Sequence, residues 1–400
     1  MTKINIIKFS PYFPPHKGGL ESHIEQWSYH YVKRGYGKVY NITSDIGQKK
    51  VEFDVIFDKK GNNLGYKRDG YEVLLLPCFD LIYGFPFPKF WKKSFWYIIS
   101  YLKSKKNKGK KDDRFIVNTH TRFFLTSLLG LIYSIFTGIK CIHIEHGVDY
   151  VKLNSEFKTA LAYIYDNIIG RFIFVFSDKV LAISEGCKTF SNKFTSKEID
   201  VIHRGIEFSP SIIEESIKHN KIISFQKGKI IIGFIGRLVK LKGVDLLLKS
   251  LKKLDNDFEL WIVGDGDEID NLKKLTHTIG LVKKVKFLGF QEPKSIYSEI
   301  LPKIHILVNS SYQEGLPTSV IEGLISCCVV VATDVGGTKE ISTQKDLVLI
   351  KSGSQVALTS GIKVAIKNYI NLVGLSKDLV LNRFNWDSSI EKYNNYFKNI

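Results

Sequence analysis

The chain has 400 residues and carries 58 Lys and Arg against 40 Asp and Glu, a formal net charge of +18. An apolar share of 44% with 24% charged residues excludes a disordered chain and leaves length for two domains with their own cores. Five cysteines, an odd number without paired spacing, argue for a reducing compartment.

Ile4–Ser10 reads as a strand, so no secretory leader is expected and a cytoplasmic location follows. The next turn, Pro14-Pro15-His16-Lys17-Gly18-Gly19-Leu20-Glu21, puts two glycines where a helix opens, which lets a ligand approach the backbone. Leu20, Ile24, Trp27 and Tyr31 then keep helical spacing. Strand-like runs follow at Lys38–Ser44 and Glu72–Pro77. Phe85–Arg114 mixes Phe85, Phe87, Phe90, Trp91, Phe95, Trp96, Tyr97 and Tyr101 with lysines, and a lysine-rich run at 103–111 closes it. Such a segment suits the headgroup layer of an anionic membrane, or equally a half-buried helix with a solvated loop.

Phe115–His120 and Lys140–His146 are the next strand-like runs. Between them, Phe123–Ile139 is uncharged, and a buried crossover helix explains it better than a membrane span. His120 and His146 end those strands, and each is expected to reach a ligand cleft. His143-Ile-Glu145-His146 imitates a metal cluster, but alternation along a strand sends Glu145 and His146 to opposite faces. Lys179–Ser184 and Asp200–Ile206 complete the first half.

Strands are expected in the second half at Lys229–Gly236, Phe258–Gly264, Val285–Phe290, His305–Ser310 and Val329–Thr333. Val244, Leu247, Leu248, Leu251 and Leu254 mark a helix between them. This alternation predicts parallel sheets covered by helices. The expected boundaries are a first domain at 1–208, a linker at 209–228, a second domain at 229–380 and a terminal helix at 381–400 that packs back on the first domain.

The densest chemistry lies between Ser310 and Glu340. Glu314-Gly315-Leu316-Pro317-Thr318-Ser319 leads into a short helix whose stripe is Val320, Ile321, Leu324 and Ile325. Pro317 suits a first helical turn. Glu322 falls on the outer side with Ser319, Gly323 and Ser326. The N–H groups of residues 316–319 would point at an anion. Upstream, Gly236-Arg237-Leu238 follows a strand and Lys242-Gly243 opens the next helix. Two cations beside a strand-end glycine suit a pyrophosphate. Asp265-Gly-Asp267 reads as an ordinary strand-to-helix turn, and no metal site is expected.

Taken together, these motifs resemble the retaining glycosyltransferases of family 4 (group 1), which have the GT-B fold. In family order stand GRLVKLKG, IVGDGD, FLGF, EGLPTSVIEG and VVVATDVGG, with PPHKGGLESH, THTRFF, EHG, ISEG and VIHRGIE in the first half. The resemblance implies an α/β protein of two facing Rossmann-like domains with a deep interdomain cleft. It implies a nucleotide-diphosphate sugar as substrate and no cofactor or metal. It assigns Arg237 and Lys242 to the donor diphosphate, Glu322 to the ribose and Glu314 to the transferred sugar. Gly18, Gly19, Gly236, Gly315, Leu316, Pro317 and Thr318 would line the donor site. His146 would lie beside the reacting carbon, with His120 as an acceptor-side candidate.

The implied reaction moves a hexose with retention to a saccharide or lipid-linked acceptor, in surface polysaccharide or lipid-linked glycan synthesis. The expected partner surface is an anionic membrane reached through Phe85–Arg114; no nucleic-acid recognition module is present. Two departures from the family pattern stand out. Ser326-Cys327-Cys328-Val329 lacks the usual glycine and proline, and Arg204 and Glu207 replace an asparagine and an aspartate. The competing readings are an α/β hydrolase using Ser184 within Ala182-Ile-Ser184-Glu-Gly186, and a non-catalytic binder of lipid or nucleic acid.

Overall fold

A computed structural model describes residues 3–16, 18–47, 54–57, 61, 63–80, 85–108, 113–153, 155–207 and 216–400. The chain divides into two compact units, residues 1–205 with 386–400 and residues 206–385.

In the first unit, strands β1 (Ile4–Phe9), β2 (Val39–Ser44), β3 (Asp54–Phe57), β4 (Asn63–Arg68) and β5 (Tyr71–Leu76) precede a small antiparallel pair, β6 (Cys78–Asp80) and β7 (Pro86–Pro88). β8 (Arg114–His120), β9 (Cys141–Glu145), β10 (Lys179–Ala182) and β11 (Ile199–Val201) follow. The main sheet has the order β11-β10-β9-β8-β1-β2-β5-β4-β3. It is parallel except where β4 runs against β3 and β5. β1 and β2 are buried along their whole length, as strands covered on both faces must be.

Helix Leu125–Thr137 crosses from β8 to β9, as the uncharged run predicts. It places Leu131 in a core with Ile7, Phe9, Ile42, Leu74, Val117 and Ile173. The lysine-rich segment forms helix Lys93–Lys108. Phe95, Ile98 and Leu102 are buried, whereas Trp91 and Trp96 are exposed. Lys105 pairs with Glu72 at 3.1 Å and Lys106 donates to the Thr137 carbonyl, so part of the run is engaged within the protein. Residues 109–112 lie outside the described chain.

The C-terminal helix Trp386–Lys398 belongs to the first unit. Its buried Trp386, Tyr393 and Phe397 meet Trp27 and His30 of helix Gly19–Lys33. It begins at Trp386, five residues after the expected start at 381.

In the second unit, β12 (Ile230–Ile235), β13 (Phe258–Val263), β14 (Val285–Gly289), β15 (Ile306–Asn309), β16 (Val329–Thr333) and β17 (Leu347–Ile350) form one parallel sheet. Its order is β14-β13-β12-β15-β16-β17. The expected linker contains helix Ser216–Gln226, which belongs to this unit. Phe225 stacks on Tyr369 at 4.0 Å and Ser224 bonds His305 at 2.7 Å. Residues 208–215 lie outside the described chain.

Candidate functional site

In open α/β sheets, ligands bind at the carboxyl ends of the strands, where strand order reverses. In the second unit that point lies between β12 and β15, and the sequence's best motifs are the loops that leave these strands. The loop after β12 carries Gly236, Arg237 and Lys242; the loop after β15 carries Glu314 to Pro317. Hydrogen bonds tie them together. Tyr312 N–H donates to the Leu241 carbonyl at 2.8 Å, and Ser310 Oγ donates to the Lys242 carbonyl at 3.0 Å. The turn after β16 joins them through Gly337 N–H to the Gly315 carbonyl at 3.1 Å.

Glu314 is nearly buried. Its Oε1 accepts from Lys242 Nζ at 2.6 Å, Ser311 Oγ at 2.6 Å and Asn309 Nδ2 at 3.1 Å. A carboxylate fixed this way has one orientation, and Lys242 is brought to it from a loop 72 residues away. Arg237 is exposed on the same loop.

Helix Thr318–Ile325 starts directly after this turn, and no side chain caps it. Pro317 is the residue before the first turn rather than within it. Its φ of −73° and ψ of 106° end the loop in extended backbone. The N–H groups of the first turn therefore remain available to an anion. Val320, Ile321, Leu324 and Ile325 are buried as expected. Gly323 and Ser326 are buried as well, against the expectation that they face outward with Glu322. A Cβ at Gly323 would meet Leu307 Cδ2 at 2.5 Å, so the helix sits close on the sheet. Glu322 is half-buried, and Tyr297 donates its hydroxyl to Glu322 Oε1 at 3.2 Å.

The Gly264-Asp265-Gly266 turn also supports the site. Leu238 N–H donates to the Asp265 carbonyl at 2.8 Å, and Glu268 N–H donates to the Leu238 carbonyl at 3.0 Å. Gly266 has φ 157° and stands against the Leu238 backbone, where a Cβ would lie 2.4 Å from its carbonyl oxygen. Asp265 Oδ1 accepts from Gly266 N–H. Among the described residues, no group of three or more His, Cys, Asp and Glu side chains could hold a metal ion.

In the first unit, strand order reverses between β1 and β8. His120, at the end of β8, and His146, just after β9, meet there with Nδ1 3.0 Å from Nε2. His120 has no exposed surface, so it backs the His146 ring instead of reaching a cleft itself. His23, on helix Gly19–Lys33, closes the group with its ring 5.2 Å from His146. Burial lowers the pKa of all three imidazoles, that of His146 to about 3 despite the opposing charge of Glu145. All three are neutral at pH 7.

Glu145 turns back under its own loop. Its carboxylate accepts from the N–H groups of His146 at 2.9 Å and Gly147 at 2.6 Å, and pairs with Arg122 at 3.4 Å. It is a clamp on the His146 turn, not a metal ligand. Arg122 also bonds Asp166 at 2.9 Å. Burial penalises both carboxylates, but Arg122 and His143 outweigh it for Glu145, which stays well below the usual range. Asp166 rises to about 6.

Gly18 and Gly19 open helix Gly19–Lys33, and Arg204 donates to the Gly19 carbonyl at 3.0 Å. The residue that replaces the family asparagine thus fixes the glycine turn. Ser184 is buried, and its Oγ accepts from Cys187 N–H as the cap of helix Glu185–Ser191. A hydrolase nucleophile must stand exposed at a strand end, so the hydrolase reading fails here. Sequence reasoning missed Tyr297, His23, Asn309 and Ser311. Only the last two carried a signal, as polar neighbours within five residues of Glu314.

Residues 215–379 match the family profile described as glycosyl transferases group 1. The glycosyltransferase MJ1069 of Methanocaldococcus jannaschii is 33% identical over 416 residues, covering 100% of both chains. The chain belongs to the group 1 glycosyltransferases. The GPI3 subunit of the phosphatidylinositol N-acetylglucosaminyltransferase of Saccharomyces cerevisiae is 24% identical, covering 90% of this chain and 75% of that protein. HepE of Anabaena, solved in complex with UDP, aligns over 100% of both chains with a TM-score of 0.68 at 15% identity. The fold of this glycosyltransferase is GT-B, two Rossmann-like domains.

Proposed function

We propose that this glycosyltransferase takes a hexose from a nucleoside-diphosphate sugar and passes it, with retention and without a metal, to a hydroxyl of a saccharide or lipid-linked acceptor. The observation that carries the reading is the loop cluster at the β12/β15 reversal. There Arg237, Lys242 and an uncapped helix N-terminus accompany a carboxylate held by three donors. Preorganised cations and dipoles of this kind stabilise charge that develops on a leaving diphosphate.

In this mechanism the bond from sugar C1 to the diphosphate oxygen breaks while the acceptor oxygen bonds C1 on the same face. The leaving phosphate takes the acceptor's proton. Arg237, Lys242 and the N–H groups near Thr318 receive the phosphate charge. Glu322, oriented by Tyr297, holds the ribose, and Glu314 contacts the transferred sugar. Gly18 and Gly19 approach the donor phosphates. Neutral His146 is the residue the family resemblance assigns to the reacting carbon, to which it would offer a hydrogen bond without adding charge.

The UDP named in the HepE complex supports the donor class. The phosphatidylinositol in the name of the yeast relative supports a lipid acceptor, as does the net charge of +18. Peripheral attachment to the cytoplasmic face of a membrane follows from that acceptor. The test is a panel of α-linked nucleotide sugars, incubated in EDTA with lipid and sugar acceptors, with the anomeric proton of the product read by NMR. An α-linked product formed in EDTA supports the reading; a β-linked product, or a requirement for Mn²⁺, overturns it.

A further inference from the structure

The segment Glu156–Phe176 of the first unit is helical throughout, with a π turn at Asp166–Gly170. Its inner face is Ala162, Asp166, Gly170, Ile173 and Phe174, all buried. Its outer face should be polar in a water-soluble helix. Instead it presents Phe157, Leu161, Ile164, Ile168, Phe172 and Val175, at steps of three and four residues. Phe157 is 72% exposed, Ile168 63% and Ile164 52%. Helix Leu125–Thr137, which packs against Arg171–Phe176, adds exposed Ile135 and Phe136 at its end. Contiguous apolar surface of this kind marks an interaction site.

The helix is long and apolar enough to cross a bilayer by composition, but its inner face decides otherwise. Asp166 is bonded to Arg122 and Ile173 belongs to the sheet's core, so the helix cannot leave the unit to span a membrane. It can lie along one. Lys158 and Arg171 stand exposed on the helix, and Lys193 nearby, against exposed Glu156. Two copies of this face would oppose their cations to each other, whereas an anionic leaflet complements them.

The same helix walls a cavity of about 530 Å³. Leu161 and Tyr165 line it together with Phe85, Phe123 and Phe124, and Thr121, Arg122, Glu145, Asp149 and Lys158 supply its polar part. A largely apolar pocket of this size with convergent polar groups suits a ligand.

We infer that Glu156–Phe176 is the surface by which this chain lies on an anionic bilayer, and that the adjoining aromatic cavity receives the apolar portion of a lipid from it. The inference deepens the lipid-acceptor reading above and rests on it for its purpose. On this inference the main contact is Glu156–Phe176 and not the lysine-rich Phe85–Arg114 segment, whose Phe85 lines the cavity.

The experiment is sedimentation of the full chain with vesicles of phosphatidylcholine, with and without phosphatidylglycerol. The chains compared are wild type, the triple variant F157S/I164S/I168S, and a variant with Lys103, Lys105 and Lys106 changed to Ser. The triple variant is expected to lose at least tenfold in bound fraction on anionic vesicles while keeping the wild-type thermal melt and circular dichroism spectrum, which shows that it is folded. The lysine variant should lose far less. A Phe157→Trp variant gives a second readout: brominated lipids should quench its added fluorescence beyond the background of exposed Trp91 and Trp96. Equal binding by wild type and the triple variant, or added fluorescence in Phe157→Trp that brominated lipids leave unquenched, overturns the inference. So does a wild-type dimer that the triple variant converts to monomer. Vesicle binding and quenching need no transfer, so failure of the glycosyltransfer reading would appear separately, as normal binding with no product from any donor.

Discussion

Glu314 and Glu322 lie eight residues apart, yet their neighbours predict different kinetics. Glu314 is fixed by Lys242, Ser311 and Asn309 on the loop, whereas Glu322 is met by a tyrosine hydroxyl on the helix. A contact made only in the transition state lowers kcat when lost, and a uniform binding contact raises KM. Glu314→Gln should therefore mainly slow turnover, and Glu322→Gln should mainly raise KM for the donor. Initial rates across donor concentration check this, and the reverse pattern would refute both assignments. The buried imidazoles make a second prediction at this scale. The unfolded chain protonates His23, His120 and His146 near pH 6.5. The folded chain does so only well below that. The unfolded state thus binds more protons below pH 6.5, and stability falls as pH falls through that window, by up to about 1.4 kcal/mol per pH unit and group. Asp166 opposes this in part. Its folded value of about 6 lies above its ordinary 3.8, so protonating it recovers stability as pH falls through 6. His30 and His305, each lowered by burial to about 4, add to the fall, while Asp45 and Asp346, raised by burial, act with Asp166. The imidazoles outnumber the carboxylates, so the urea midpoint should drop from pH 7 to pH 5, and His23→Phe should flatten the slope. A pH-independent midpoint would contradict the buried cluster.

At the scale of elements, continuous apolar runs made much of the fold legible. Val329–Thr333 is wholly buried and reads as a strand in sequence. Asn63–Arg68 is polar, contains Gly65 and lies on the antiparallel side of its sheet, so periodicity gave no sign of it. Glu156–Phe176 escaped for another reason, because Asp166 and Arg171 break an apolar run that the helix itself continues. The turn motifs were legible as loops, but the links between loops were not. Lys242 and Glu314 come from strands adjacent in space and distant in sequence, and Tyr297 reaches Glu322 from a π turn. The Gly264–Gly266 turn shows the same limit, since its support of Leu238 depends on β12 and β13 being neighbours. Gly266→Ala should push the Arg237 loop away. The expected cost is roughly 1–3 kcal/mol of stability, with donor affinity weakened beyond what global destabilisation explains. Thermal melts with and without nucleoside diphosphate check this, and unchanged melts in both would remove the turn from the account.

At the scale of the molecule, the chain divides into residues 1–205 with 386–400 and residues 206–385, whereas the sequence placed boundaries at 208 and 381. Those differences have physical causes. Trp386 packs on His30 and fixes where the last helix joins the first unit, while Phe225 and Tyr369 fix Ser216–Gln226 to the second. The positive charge is likewise a property of the whole chain, and sequence alone could not locate the apolar face inferred above to meet a bilayer, because that face exists only once the helix is folded onto the sheet. The second unit is proposed to hold a nucleoside diphosphate between Arg237, Lys242 and the start of helix Thr318–Ile325. Isothermal titration with UDP, followed by the other nucleoside diphosphates, tests it most directly because it needs neither sugar nor acceptor. Loss of a charge-assisted contact is worth about 1.5–3 kcal/mol, or about 10- to 150-fold in affinity. Arg237→Ala and Glu322→Gln should each weaken binding by that order, and Glu314→Gln should bind almost as wild type does. Failure of every nucleoside diphosphate to bind, or undiminished binding by Arg237→Ala, would contradict the account.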